Sequence, residues 1–408
     1  MKNRWIEPEA AAHAEQDSNL GLRVYTSQLL GQDADLVLHG GGNTSVKGEL
    51  ENVFGEAEPV LFVKGSGWDL RTSQGPGFPA VKMEHLLRLG ELTALGDSEM
   101  MRQLRLALLD PTAPTPSVEA ILHALIPHRY VDHSHADAVV AISNSPDGES
   151  LLREIYGDEV LILPYRMPGF ILAQQVAEAT AKVQGSYLRG IVLLHHGIFT
   201  FDEDAKTSYS TMIELVSKAE QFLQQKTGAG GLASASYEAT GQDCLQLSRL
   251  RKAAAQMMGR PVLLRFETTQ KAAGFANLEN CQDLVTRGPL TPDHTIHGKA
   301  FAAVFDEDPL PGLQQFEAYY LEYFEKHSDS SHQCLDTMPR YGVWRNKGMV
   351  YLAPNQKSLQ IVQDISALTI KSIEQSEFLG GWQALPRPAQ VEGEDGGLAQ
   401  AKGEAAAG

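Results

Sequence analysis

The sequence predicts an α/β fold, and three observations support this prediction. Short apolar runs with the length of buried strands recur along the chain, among them 60–63, 160–165 and 190–194. Longer stretches with apolar residues at helical spacing lie between them, and 204–225 is the longest in the first half. The chain has 408 residues, 43% hydrophobic and 21% charged, which is enough for one large core, and we expect two.

The overall charge restricts the classes of partner. A formal net charge of −17 argues against nucleic acid and anionic membranes, since both attract clustered Lys and Arg. A small phosphorylated substrate is still compatible with this negative charge if backbone amides and hydroxyl groups bind its phosphate. The three cysteines, Cys244, Cys281 and Cys334, are widely spaced and indicate neither a disulfide framework nor a Cys-based zinc site. With no signal-like N-terminus and no membrane-length apolar run, we expect a cytoplasmic protein.

The first half contains alternating helical and extended patterns. The predicted elements are helical residues up to about 30, a strand at 35–39, a strand at 60–63, helices at 83–95 and 99–109, a helix around Glu119, a strand around His133, a strand at 160–165, a helix at 173–183, a strand ending at His195 and a helix at 204–225. Each helix follows apolar residues spaced three or four apart, and each strand follows a short apolar run bounded by turn residues.

The second half begins after 227–236, a stretch of small residues that is the best candidate for a domain boundary. The predicted elements are a helix at 243–258, a strand at 262–266, a helix at 313–326, a hairpin at 341–352 and a helix at 358–378. The pattern at 348–352, followed by a helix, echoes 197–201 with its following helix. We interpret this echo as a degenerate repeat without the histidines described next.

His133 and His135 are the most informative pair of residues. Alternation along an extended strand places both imidazoles on one face, which supplies half of a metal site. A further candidate ligand lies where the run from 190 ends in His195, His196 and glycine, and the residues alone do not choose between these two histidines. Three imidazoles at strand ends indicate zinc with an open coordination position. The alternative is a pair of hydrogen-bonded structural histidines.

Glu119 adds a carboxylate just upstream of this pair. The apolar stripe of its predicted helix consists of neighbours such as Val118, Ile121 and Leu122, so Glu119 lies off the buried face. A carboxylate beside a divalent cation can remove or return a proton while the metal polarises a carbonyl group.

Two glycine-containing turns form a second group of candidates. Gly-Gly-Gly-Asn-Thr-Ser at 40–45 and Lys-Gly-Ser-Gly at 64–67 each follow a predicted strand, and such turns expose N–H groups that bind anions. The alternative is two ordinary tight turns. Neither turn matches a P-loop or a dinucleotide-binding fingerprint.

Five motifs in order resemble the class II aldolase/adducin family over roughly residues 20 to 225. They are Gly-Gly-Gly-Asn-Thr-Ser, Lys-Gly-Ser-Gly, Pro-Ser-Val-Glu, His-Ser-His-Ala-Asp and Leu-His-His-Gly. The stretches at 165–170 and 287–294 look closer still to the aldolase part of bacterial rhamnulose-1-phosphate aldolase/alcohol dehydrogenase fusion proteins. Compared with these, we expect the chain to stop before the dehydrogenase domain and to lack a nicotinamide site.

The resemblance implies a fold and a domain division. The expected fold is a three-layer α/β/α unit with a mainly antiparallel central sheet, plus a smaller C-terminal α/β region. The expected boundaries are 1–228 for the aldolase domain, 229–385 for the C-terminal extension and 386–408 for a disordered tail. Family members form rings, so we expect a homo-oligomer, commonly a tetramer.

The resemblance also implies roles for individual residues. The divalent metal, usually zinc, would be held by His133, His135 and His196, the last chosen because the family places this ligand immediately before glycine. Glu119 would be the catalytic acid/base. The substrate phosphate would be bound by Gly42, Asn43, Ser66, Gly67 and Ser117. Val118 stands where the family usually has a second serine, so one hydroxyl donor to the substrate phosphate is lost.

The activity implied is that of a metal-dependent aldehyde-lyase. It would cleave a ketose 1-phosphate, similar to rhamnulose 1-phosphate, into dihydroxyacetone phosphate and a small aldehyde. Two alternatives remain, namely a sugar-phosphate epimerase or dehydratase on the same scaffold and a non-catalytic adducin-like interaction module. The three histidines with Glu119 argue against the second. His294 and His297 can be interpreted as another metal site, but a loop with hydrogen-bonded histidines is the preferred interpretation.

Overall fold

The computed structural model describes residues 1–183, 187–228, 234–329 and 332–395. These residues form two compact units. The first comprises Met1–Ser143 and Gly148–Phe222, and the second comprises Asn144–Asp147 and the described residues within 223–395. The expected boundary at 227–236 falls partly on residues 229–233, which lie outside the described residues.

The first unit alternates helices and strands. Its elements are α1 (Glu7–Gln16), α2 (Gly21–Gly31), β1 (Asn43–Glu51), β2 (Ala57–Val63), β3 (Ala80–Lys82), α3 (Met83–Gly90), α4 (Asp97–Leu106), α5 (Ala120–Leu125), β4 (Tyr130–Ser134), α6 (Asp137–Ser143), α7 (Gly148–Tyr156), β5 (Val160–Leu163), α8 (Phe170–Lys182), β6 (Gly190–Leu193), β7 (Gly197–Asp202) and α9 (Ala205–Thr227). Short 3₁₀ helices occur at Leu70–Thr72, Gly75–Gly77 and Gly157–Glu159.

The strands of the first unit form one sheet in the order β3-β2-β1-β4-β7-β6-β5. Every neighbouring pair is antiparallel except β5 with β6. Alternate residues of β2 face opposite ways, because Leu61 and Val63 pack in one apolar cluster while Val60 and Phe62 pack in another. The first cluster includes residues of α3, α4, α5 and α8, and the second includes residues of α2 and α9. The mainly antiparallel, three-layer prediction is therefore confirmed.

One predicted strand was wrong. Residues 35–39 form turns, because the carbonyl of Asp33 accepts hydrogen bonds from the N–H groups of Leu36 and Val37. The strand instead begins at Asn43 and runs to Glu51. Its sequence is too polar to indicate a buried strand, although its first four residues are buried.

The second unit has its own sheet and helices. Its elements are α10 (Gly241–Met258), β8 (Leu263–Glu267), α11 (Gln270–Ala276), α12 (Cys281–Thr286), α13 (Pro292–Gly298), β9 (Ala303–Phe305), α14 (Pro309–His327), β10 (Tyr341–Trp344), β11 (Gly348–Ala353), α15 (Gln356–Glu377) and α16 (Arg387–Asp395). The strand order is β8-β11-β10-β9, with only β9 and β10 parallel. The predicted smaller C-terminal α/β region is therefore present.

Part of the predicted disordered tail is helical. Within 386–408, the residues of α16 are ordered, while residues 396–408 lie outside the described residues. Gln390 and Val391 are buried, and the buried carboxylate of Glu394 accepts hydrogen bonds from the backbone of Ala300 and the hydroxyl of Tyr320. Composition alone missed these contacts, because they depend on a few buried positions in a stretch rich in small residues. No helix among the described residues is long and apolar enough to cross a membrane.

Candidate metal centre and its carboxylate

Two adjacent strands bring three histidines together. His133 lies in β4 opposite Phe199 of β7, His135 follows the end of β4, and His196 lies in the turn between β6 and β7. One ring nitrogen from each of the three lies within 4.8 Å of the others. The Nε2 atoms of His133 and His135 are 3.1 Å apart. Two nitrogens bound tetrahedrally to zinc at their usual bond length are about 3.4 Å apart, so the observed spacing fits a shared ion.

The orientation of His133 also fits a metal ligand. Its Nδ1 is 3.1 Å from the carbonyl oxygen of Ile198, to which it donates, and its ring stacks on Phe199 with 4.0 Å between centroids. A hydrogen bond at Nδ1 fixes the tautomer in which Nε2 carries a lone pair. The buried imidazole therefore presents a ligand atom towards the other two histidines.

The turn between β6 and β7 shows which of His195 and His196 lies beside the other two histidines, a choice that the sequence alone did not make. His195 has a left-handed backbone with φ 57°, and its N–H donates to the hydroxyl of Ser143. Burial lowers the pKa of His195 to about 4, so the ring is neutral. His196 belongs to the three-histidine group and His195 does not. A Cβ on Gly197 would lie 2.3 Å from the carbonyl oxygen of Ser134, which explains why glycine follows His196.

Glu119 faces this group from the start of α5. Its side chain is 4% exposed. Its Oε2 is 3.7 Å from Nε2 of His133 and its Oε1 is 3.8 Å from Nε2 of His196. Oε1 is buried and has no hydrogen-bond partner among the described residues. A buried carboxylate oxygen beside three imidazoles is suited to exchange protons with a substrate held there.

The carboxylate is oriented by one face of β1. Asn43 donates from Nδ2 to Oε2 of Glu119 at 2.6 Å, and its Oδ1 is hydrogen-bonded to Nε2 of His123. Since an amide oxygen only accepts, Nε2 of His123 is the donor, and Nδ1 accepts from the hydroxyl of Ser45 at 2.7 Å. Burial, with His133 and nearby cations, lowers the pKa of His123 well below its usual value, so the ring is neutral as this network requires.

Lys47 completes the same face of β1. Its Nζ donates to three backbone carbonyl oxygens at and beyond the end of α5, those of His123, Ile126 and His128. Burial lowers the pKa of Lys47 to about 8. Asn43, Ser45 and Lys47 are two residues apart, so they share the strand face that fixes α5 and its carboxylate. Sequence reasoning missed Ser45, Lys47 and His123, and the available signal was the polar alternation in β1.

The two predicted turns meet beside this network. A Cβ on Gly40 would lie 3.8 Å from the Cα of Gly67, and Nζ of Lys64 donates to the carbonyl oxygens of both Gly40 and Trp68 at 2.8 Å. Lys64 therefore joins the two turns. Gly42 has φ 59° and lies against the carbonyl of His133, where a Cβ would come within 2.7 Å.

The predicted phosphate ligands take up different positions around these turns. The hydroxyl of Ser66 is buried without a hydrogen-bond partner among the described residues, and Gly67 is exposed with φ 77°. Ser117 accepts from the N–H of Glu119 at 3.3 Å, and its own N–H donates to the carbonyl of Lys64. The side chain of Asn43 donates one amide hydrogen to Glu119 and accepts a hydrogen bond from His123, so its second amide hydrogen and its backbone N–H are left for the predicted contact with phosphate.

The alternative metal site in the second unit has no matching geometry. His133, His135 and His196 form the one group of three or more metal-ligating side chains found within the described ranges. Nδ1 of His294 is 2.8 Å from the hydroxyl of Thr291, an ordinary buried hydrogen bond.

Comparison with known proteins gives the family. The class II aldolase and adducin N-terminal domain matches residues 23–223, and the second domain of class II aldolases matches residues 242–402. The N-terminal class II aldolase domain of a conserved protein from Thermoplasma acidophilum is 40% identical, with a TM-score of 0.50, and the match covers 55% of this chain and 99% of that one. The chain belongs to the class II aldolase and adducin family. This finding confirms the predicted resemblance to the family, but not the closer resemblance to the fusion proteins.

Two further relatives of this class II aldolase family member were found. The "uncharacterized oxidoreductase YuxG" of Bacillus subtilis (strain 168) is 28% identical over 369 residues, which are 86% of this chain and 52% of the relative. The chain thus spans about half the length of that curated relative. The L-fuculose-1-phosphate aldolase of Thermus thermophilus is 21% identical with a TM-score of 0.33, and the match covers 51% of this chain and 98% of that one.

Proposed function

We propose that this protein is a divalent-metal-dependent aldolase. It cleaves a ketose 1-phosphate similar to rhamnulose 1-phosphate into dihydroxyacetone phosphate and a small aldehyde. One observation supports this more than any other, namely three imidazoles around a single point with the buried carboxylate of Glu119 within 3.8 Å of two of them. Membership of the class II aldolase and adducin family agrees with this chemistry.

The roles of the residues follow from their contacts. His133, His135 and His196 would hold the divalent ion, zinc in the first instance, which when bound polarises the substrate carbonyl and stabilises developing negative charge. In the cleavage direction the bond between C3 and C4 would break, its electron pair would stay with C3, and the C4 hydroxyl would lose its proton to solvent as C4 becomes the aldehyde carbonyl. Glu119 then delivers a proton to C3 from Oε1, since Oε2 is occupied by the amide of Asn43.

The phosphate group of the substrate would bind at the two turns. The buried hydroxyl of Ser66, which has no partner among the described residues, and the N–H groups of Gly67 and Gly42 offer donors in a chain with a net charge of −17. Lys64 contributes a positive charge close to both turns, although its ammonium group donates to their carbonyl oxygens. Ser117 adds a hydroxyl beside the carboxylate.

The longer relative suggests a next step for the aldehyde product. It carries an oxidoreductase name and is about twice as long as the matched region. We therefore include in the proposal a relationship to aldolase/dehydrogenase fusion proteins, in which a dehydrogenase consumes the released aldehyde. The proposal also includes a cytoplasmic homo-oligomer, a tetramer in the first instance, because related aldolases complete their active sites between subunits.

The test combines metal analysis with a substrate panel. Purified protein is expected to contain one divalent ion per chain and to release dihydroxyacetone phosphate from at least one ketose 1-phosphate, with chelation abolishing the release. Elemental analysis and a coupled assay for dihydroxyacetone phosphate measure the two quantities. Product analysis by NMR separates the alternatives, because an epimerase or a dehydratase converts the sugar phosphate without forming dihydroxyacetone phosphate. Turnover that persists without metal would contradict the proposal.

A further inference from the structure

Four strands of the first unit correspond to the four strands of the second. The order β4-β7-β6-β5 matches β8-β11-β10-β9, and in both sheets only the last pair is parallel. When Gly197 is matched with Gly348, the registers also coincide. The matched pairs are Ser134↔Ile198 with Glu267↔Met349, Leu193↔Gly197 with Trp344↔Gly348, and Leu163↔Leu193 with Phe305↔Trp344.

The turns that join the central strands are also the same. Each has three residues, and the middle one is left-handed, with φ 57° for His195 and φ 64° for Asn346. The third residue donates its N–H to the carbonyl at the end of the preceding strand, at 3.2 Å for His196 and 2.9 Å for Lys347. The glycine that follows lies against the neighbouring strand in both cases, where a Cβ would come within 2.3 Å or 2.2 Å of a carbonyl oxygen.

The helices that follow the two sheets agree as well. After β7 and β11, two residues lead to α9 and α15, which have 23 and 22 residues. Asp204 and Asn355 accept hydrogen bonds at the starts of these helices, from Thr207 N–H at 2.9 Å and from Ser358 N–H at 2.8 Å. Chance agreement of strand order, direction, register, turn and cap is not expected for unrelated sheets.

We infer that the second unit contains a copy of the half of the first unit that carries the metal ligands, and that the ammonium group of Lys347 takes the place of the metal ion there. The register matches His133 with Phe266, His135 with Thr268 and His196 with Lys347. Two of the three imidazoles are therefore replaced by side chains that do not bind zinc in proteins. The third is replaced by an ammonium side chain.

The surroundings of Lys347 fit this substitution. Its Nζ is 2.6 Å from Oδ1 of Asp243 near the start of α10 and 4.1 Å from the ring centroid of Trp344. The Lys347 side chain is 19% exposed and that of Asp243 is 3% exposed. Glu119, near the start of α5, faces His196 in the same way at 3.8 Å. Both units thus place a buried carboxylate from a helix start against the same position of the turn.

The charge state of Asp243 agrees with a permanent ion pair. Burial raises the pKa of this carboxyl, but the hydrogen bonds from Lys347, Thr240 and Tyr237 outweigh it and hold the pKa below its usual value. The hydroxyls of Thr240 and Tyr237 both donate to Oδ2 at 2.7 Å. The carboxylate oxygens are therefore occupied, whereas Oε1 of Glu119 has no partner among the described residues.

The first test measures metal content and stability, which do not depend on the proposed aldolase activity. Wild-type protein is expected to bind one divalent ion per chain by elemental analysis and calorimetry. Lys347→Met is expected to lower the unfolding temperature by roughly 5–15 °C and leave the metal content at one, because it leaves a buried carboxylate without its partner. Lys252→Met, which removes an exposed lysine of α10, is the matched control and is expected to change neither quantity.

A double and a triple variant then test the substitution itself. Asp243→Asn combined with Lys347→Met is expected to recover most of the lost unfolding temperature, since both charges are gone. The triple variant Phe266→His, Thr268→His and Lys347→His is expected to bind a second ion per chain. Two ions in the wild type, an unchanged unfolding temperature for Lys347→Met, or a folded triple variant with one ion would each overturn the inference. The single and double variants decide the question even where the triple variant does not fold.

Discussion

The two matching sheets use the same backbone for different purposes. In the first unit, the positions around the β6–β7 turn carry His133, His135 and His196, and a buried carboxylate faces them. In the second unit the same positions carry an aromatic ring, a hydroxyl and Lys347, which is already paired with Asp243. The left-handed residue and the buried glycine are kept in both. The scaffold therefore does not determine the chemistry, which depends on a few side chains attached to it.

A second difference lies beside the matched strands. In the first unit β4 is flanked by β1, which supplies Asn43, Ser45 and Lys47 to α5. In the second unit β8 is an edge strand, with no counterpart of β1 in the part of the chain that the structure describes. The copy thus lacks both the residues that orient the carboxylate and the two turns that are candidates for phosphate binding. A complete site needs these additional strands as well as the ligands.

The largest effect is expected when the carboxylates of Glu119 and Asp243 are replaced, one at a time, by amides. Glu119→Gln is expected to lower kcat about 10³-fold with the metal content unchanged, because the amide cannot transfer the proton to the substrate carbon. Asp243→Asn, the corresponding change in the second unit, is expected to lower the unfolding temperature but leave kcat per folded molecule unchanged. Initial rates of dihydroxyacetone phosphate release and elemental analysis measure both. Equal losses of kcat in the two variants would show that the second unit takes part in catalysis.

The next effect concerns the residue that fixes the carboxylate. His123→Leu is expected to lower kcat about 10- to 100-fold with little change in KM, because the amide of Asn43 loses the donor that holds its orientation towards Glu119. His123→Gln retains an N–H donor and is expected to restore part of the rate. If both variants lose the same activity, the hydrogen bond to Asn43 does not position Glu119.

Sequence reasoning found the three histidines that the structure brings together, because their signal is local. The alternation of His133 and His135 needs only two residues, and the glycine after His196 reflects a close contact with the neighbouring strand. It missed β1 because Asn43, Ser45 and Lys47 are polar and do not look like residues of a buried strand. Their polar groups are hydrogen-bonded to Glu119 and His123, at the start of α5 and within it. Such a pairing spans some eighty residues of sequence and has no local pattern.

The repeat was visible only in part for the same reason. The echo between 197–201 and 348–352 rested on a glycine, a strand and a following helix, which are the features that backbone geometry requires. The strands β4 and β8 share no comparable side chains, because β4 presents His133 to the other two histidines while β8 carries Phe266 at the matching position. Their correspondence becomes evident only from the register of the paired strands.

Substitution of the matched glycines Gly197 and Gly348 is expected to have a smaller effect. Comparing the two variants distinguishes a loss of stability from a loss of metal affinity. Gly197→Ala and Gly348→Ala are each expected to lower the free energy of unfolding by about 1–3 kcal/mol, since both added methyl groups would meet a carbonyl oxygen. Only Gly197→Ala is expected to weaken metal affinity as well, because it displaces β4 from the turn that carries His196. Urea unfolding and competition with a chelating dye measure the two quantities. Loss of metal affinity in Gly348→Ala would contradict the assignment of the metal to the first unit.

The smallest effect is expected at Val118, the residue between Ser117 and Glu119 in the chain. This side chain is 8% exposed and packs in an apolar cluster between Ser117 and Glu119, where the family usually has a serine. Val118→Ser is expected to lower KM for the phosphorylated substrate less than about 10-fold, the contribution of one hydrogen bond. Val118→Ala removes the same methyl groups without adding a hydroxyl, so it serves as the control and is expected to leave KM unchanged. If KM for the unphosphorylated ketose falls equally in Val118→Ser, the added hydroxyl does not contact the phosphate, and position 118 does not lie at the phosphate site.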